Sequence, residues 1–61
     1  MNAKEGLTEG QRRATTQLRQ IFADKDEPVL VGICDRLLGG EFPDPDDVFE
    51  ILFDVWRARY R

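Results

Sequence analysis

Pro45-Asp46-Asp47-Val48-Phe49-Glu50-Ile51-Leu52-Phe53-Asp54-Val55-Trp56-Arg57-Ala58-Arg59-Tyr60-Arg61 closes the 61-residue chain and decides how the rest is read. At about 100° per residue, Val48, Ile51, Leu52 and Val55 form one helical stripe. Phe49, Phe53, Trp56 and Tyr60 form a second stripe beside it. Together they cover about 200° of the helix, against the ~100° of an ordinary surface helix. Such a helix is either central to the fold or shared with another polypeptide. Its ends are marked as well. Asp44 is placed to cap, Pro45 takes the first helical position, and Asp46 and Asp47 bring negative charge to the positive end of the dipole. Arg57, Arg59 and Arg61 bring positive charge to the other end.

Working back from Asp44, Glu41-Phe42-Pro43 is a connection whose Phe42 plugs the end of the core. Gly39-Gly40 supplies the left-handed residue that ends a helix. The helix it ends starts after Asp26 or Glu27, with Pro28 in its first turn, where a missing N–H does no harm. Val29, Leu30, Val31, Ile33, Cys34, Leu37 and Leu38 again cover about 200°. Val29–Ile33 also reads as a buried strand, but no second strand-like run exists to pair with it. Gly32 costs a helix interior about 1 kcal/mol relative to Ala, which points to another helix backbone approaching over it, within the chain or across a dimer.

Asp24-Lys25-Asp26 links this helix to an earlier one. Thr8-Glu9-Gly10-Gln11 is a capping box, with Thr8 as N-cap and Gln11 at N3. Leu7, Ala14, Leu18, Ile21 and Phe22 share one face, while Arg12, Thr15, Thr16 and Arg19 are expected toward solvent. The fold expected is an all-α, up-down-up three-helix bundle. Its helices span about 8–23, 27–38 and 45–60 of one domain, 8–61, behind a flexible tail, 1–7. A chain this short buries only about 60% of its unfolded surface, so dimerisation or partner binding is expected to complete the core.

Composition narrows the chemistry. There is no histidine, hence no imidazole base, His-ligated zinc or His switch. One cysteine allows no disulfide within the chain. Cys34 lacks a base and sits on an apolar helix, so it reads as a core thiol rather than a nucleophile. No phosphate loop, Ser/His/Asp set or CxxC occurs. The carboxylates at 44, 46, 47 and 50, and at 24, 26 and 27, lack the glycine and loop spacing of a calcium loop, and helix capping accounts for both. No catalytic function, cofactor or metal is expected. No apolar run nears the ~20 residues of a membrane span, and the N-terminus lacks the apolar core of a signal peptide. Both lead to a cytoplasmic expectation. The excess of arginine over lysine suggests a GC-rich bacterial or phage genome.

The formal charge of −3 conceals a pattern: residues 1–22 are net +2, residues 23–54 net −8, and residues 55–61 net +3. Arg12 and Arg19 share a helix side and are the candidates for nucleic-acid contact. Against this, the third helix opens with carboxylates that phosphates repel. The acidic middle admits the opposite idea, an inhibitor that mimics nucleic acid on a basic groove of another protein.

The leading expectation is a non-enzymatic protein–protein interaction module, a regulatory subunit or inhibitor, homodimeric and acting through the apolar faces of helices 2 and 3. Phe49, Phe53, Trp56 and Tyr60 are its expected partner-binding residues, with Trp56 and Tyr60 as anchors. Arg59 joins them, since it lies within the apolar arc and must either snorkel out or meet a carboxylate, its own chain's or a partner's. A nucleic-acid accessory role through Arg12 and Arg19, or acidic mimicry, is the alternative.

Overall fold

Local signals place three helices in a computed structural model that describes residues 6–61: α1 Glu9–Asp24, α2 Pro28–Leu38 and α3 Pro45–Tyr60. The described residues contain no strand, so the run at Val29–Ile33 is helical. The residues expected as a tail lie mostly outside the described ones. Leu7, counted with that tail, packs against the core.

At the start of α1 the capping box is complete. Thr8 Oγ1 accepts from the Gln11 N–H at 3.0 Å, and Gln11 Oε1 accepts from the Thr8 N–H at 2.9 Å. Glu27 and Asp44 occupy the N-cap positions of α2 and α3, but neither carboxylate makes a capping bond. Each precedes a proline, whose ring restricts the backbone before it. They share nearly one conformation, φ −114°, ψ 74° and φ −123°, ψ 74°, against φ −65°, ψ 164° at Thr8. The expected cap of Asp44 is therefore one of position and charge rather than of a hydrogen bond.

Both of the first two helices end in the same way. At α2, Gly40 takes φ 74°, its N–H donates to the Leu37 carbonyl at 3.1 Å, and the Glu41 N–H donates to the Arg36 carbonyl at 3.1 Å. At α1, Asp26 takes φ 59°, its N–H donates to the Ala23 carbonyl at 3.1 Å, and the Glu27 N–H donates to the Phe22 carbonyl at 2.9 Å. These paired bonds satisfy carbonyls that a helix end otherwise leaves open. At α1 an aspartate holds a left-handed conformation that glycine adopts more readily.

Contacts between chain-distant ends set the helix order. Gln11 Nε2 donates to Asp46 Oδ1 at 3.1 Å, joining the start of α1 to the start of α3. Arg59 and Tyr60 at the end of α3 reach Glu27, between α1 and α2. The bundle therefore runs up, down, up.

Leu18, Phe22, Cys34, Leu37 and Leu52 form the enclosed apolar core, with Leu30, Ile33, Phe42, Val48 and Trp56 among the half-buried side chains around it. Thr15, expected toward solvent, is fully buried. It lies three and seven residues before Leu18 and Phe22, on the face that α1 turns inward. Its hydroxyl donates to the Gln11 carbonyl at 2.7 Å, so no polar group is stranded. Gly32 is exposed, and a Cβ built there meets nothing within 4 Å, so of the two approaches expected over it the one by a helix of the same chain is not made among the described residues.

Candidate partner-binding surfaces

The aromatic stripe of α3 divides into two halves with different neighbours. Tyr60, at its end, packs inward, its ring 6.4 Å from that of Phe22. Its hydroxyl donates to Glu27 Oε2 at 2.6 Å, and Arg59 Nη1 donates to the same oxygen at 2.6 Å. Lys25 lies over the Tyr60 ring at 5.6 Å. The Tyr60 hydrogen bond first, and then Arg59, hold the Glu27 carboxyl below the usual range. The same carboxylate raises the Tyr60 phenol. The carboxylate that Arg59 meets thus belongs to its own chain. Arg59 and Tyr60 clamp the end of α3 onto the α1–α2 link.

Phe49, Phe53 and Trp56 form a ladder along α3, with ring centroids 6.1 Å and 5.4 Å apart at successive steps. All three are half-buried. Phe53 and Trp56 face Ala14, Gln17, Leu18 and Ile21 across a shallow groove of about 90 Å³ between α1 and α3. The Arg57 guanidinium lies 5.7 Å from the Phe53 ring and covers its outer side.

Sequence reasoning assigned no contact role to Val29 and Ile51, yet these are the large apolar residues left most open, at 74% and 61% exposure. Ile33 and Val55, beside them on the same helices, are half-buried. The signal was present: Val29 and Ile51 sit at the outer edges of the two wide apolar arcs, where neighbouring helices reach last. Beside Val29, the missing side chain of Gly32 leaves a cleft of about 280 Å³ lined by Pro28, Val29, Gly32, Ile33 and Arg36.

The arginines proposed for nucleic acid are engaged with α2. Arg19 grips Asp35 with two donors, Nε to Oδ1 at 2.5 Å and Nη2 to Oδ2 at 3.4 Å. Arg12 Nη1 reaches the Leu38 carbonyl at 3.4 Å. Asp46, Asp47, Glu50 and Asp54 are exposed along α3. Among the described residues no three potential ligands come together as a metal site. Cys34 is fully enclosed, and burial pushes its thiol up to about 11, away from the thiolate that nucleophilic attack requires. No described helix is long and apolar enough to cross a membrane. Compared with protein-family models, curated proteins and solved structures, the chain matches none.

Proposed function

We propose that this chain is a non-enzymatic protein–protein interaction module, a regulatory subunit or inhibitor, that binds through the outer faces of α2 and α3. One observation carries this reading. Val29 and Ile51, on different helices, remain 74% and 61% exposed, while the enclosed apolar core holds five side chains among the described residues. Full burial of a Val or Ile side chain contributes about 1.5–3 kcal/mol, so a partner covering the open part of both gains about 3 kcal/mol, roughly a hundredfold in affinity. Phe49, Phe53 and Trp56 form a second, less exposed apolar edge on the other flank of α3. Arg59 and Tyr60 set the pose of α3 rather than touch the partner. The absence of histidine and the enclosed Cys34 support a role without catalysis.

The test is capture of binding proteins from the source cell on the immobilised chain, comparing the natural sequence with Val29→Glu plus Ile51→Glu. The double variant is expected to keep its helical spectrum and thermal transition and to lose the captured protein. Undiminished capture on a folded double variant removes this face from the reading.

A further inference from the structure

We propose that the partner closing the outer α2–α3 face is a second copy of this chain, related by a two-fold axis that runs along the bundle. The inference rests on the binding-module reading and names its partner. The two helices offer opposite charge beside their open apolar residues. On α2, Arg36 lies seven residues after Val29, hence on the same face. It forms no ion pair among the described residues. On α3, Asp47 and Asp54 stand four residues before and three after Ile51, one turn to either side of it. Asp47 is likewise unpaired among the described residues, and Asp54 has only an exposed 4.0 Å contact with Arg57.

Charge then selects the geometry. Laying α2 on α2 opposes Arg36 to Arg36, and laying α3 on α3 opposes aspartates to aspartates. Laying α2 of each copy on α3 of the other pairs opposite charges twice, and a two-fold axis along the bundle does this. The levels agree. Arg36 lies about 13.5 Å along α2 from Glu27, and Ile51 lies about 12 Å along α3 from Arg59, which holds Glu27. Arg36 of one copy therefore falls level with Ile51 of the other, between Asp47 and Asp54. The cleft at Gly32 leaves room for α3 of the second copy to approach closely.

Sedimentation equilibrium of the full chain, from about 1 µM to about 1 mM, tests this. The natural chain is expected to dimerise, and Ile51→Glu to stay monomeric with its thermal transition retained. Arg36→Glu and Asp54→Arg each weaken the dimer by about tenfold or more, and combining them recovers most of that loss. Should Ile51→Glu fail to fold, Val29→Glu puts the same question from the other helix. A natural chain that is monomeric throughout, a dimer indifferent to Ile51→Glu, or a charge exchange that recovers nothing overturns the second copy. Capture on this face by a monomeric chain, lost with Ile51→Glu, overturns the second copy while leaving the binding face standing. Capture that ignores Ile51→Glu overturns both.

Discussion

The α1–α2 hairpin and α3 are built from similar material and held in different ways. Of the six buried side chains among the described residues, five belong to the hairpin (Thr15, Leu18, Phe22, Cys34 and Leu37), and α3 supplies only Leu52. The hairpin is also stitched along its length, by Arg12 to Leu38, by Arg19 to Asp35, and by the main-chain bonds around Asp26. α3 packs more lightly on both helices and is tied near its two ends, through Asp46 to Gln11 and through Arg59 and Tyr60 to Glu27. Yet the apolar arc of α3 is as wide as that of α2. Apolar content is thus a poor guide to burial in a minimal bundle. A third helix resting on two others is enclosed along one line, and the flanks of its arc stay open.

The largest effects should separate the two regions. Phe22→Ala, at the joint of both, is expected to cost about 3–5 kcal/mol, and Leu52→Ala about 2–5 kcal/mol. Urea unfolding measures each, and either loss is a large part of a small domain's stability. Native-state hydrogen exchange sharpens the contrast. In the Leu52→Ala chain, α3 amides should exchange at lower opening free energy than those of α1 and α2. Equal protection throughout breaks the distinction between stitched hairpin and clamped helix.

Smaller effects come from backbone conformation. Gly40→Ala places a side chain at φ 74° and should cost about 1–2 kcal/mol, whereas Asp26→Gly relieves φ 59° and should gain up to about 1 kcal/mol. Gly32→Ala, in open space on a helix, should raise monomer stability by about 0.5–1 kcal/mol. Thermal melts compare all three. A destabilising Asp26→Gly means that the aspartate side chain contributes more to the link than its backbone strain takes away.

The smallest effect is tied to pH and belongs to the α3 clamp alone. Glu27 has a lowered folded pKa, so its contribution is complete above its ordinary pKa of 4.5 and fades as pH falls through the lowered value. Tyr60 has a raised folded pKa, so its contribution is complete below 10 and fades as pH climbs through the raised value. Glu27→Gln should flatten the acid limb of a melting-temperature profile while leaving the response to Arg19→Gln, in the hairpin, unchanged. An acid limb that survives Glu27→Gln assigns it to other carboxylates.

Much of the fold was legible because its punctuation is local. Thr8 with Gln11, Pro28, Gly40 and Pro45 act through their own rings, missing side chains or nearest turns, and the three helices begin and end within a residue or so of where these mark them. The inward face of α1 was less legible. Thr15 counts as polar by type, yet its hydroxyl is satisfied by its own helix, which removes the objection to burial. Least legible was the division of labour on α3. Tyr60 and Arg59 carry the polar tips that mark interface anchors, and those same tips suit them to the Glu27 clamp.

Sequence alone determined the number of helices, their limits and their two unusually wide apolar arcs, because these depend on residues within one or two turns of each other. Which part of each arc is enclosed was decided only in three dimensions. Residues 27 and 59 are far apart along the chain, and where they meet sets how α3 lies on the hairpin. That pose puts Leu52 inside and leaves Ile51, one residue away, facing water.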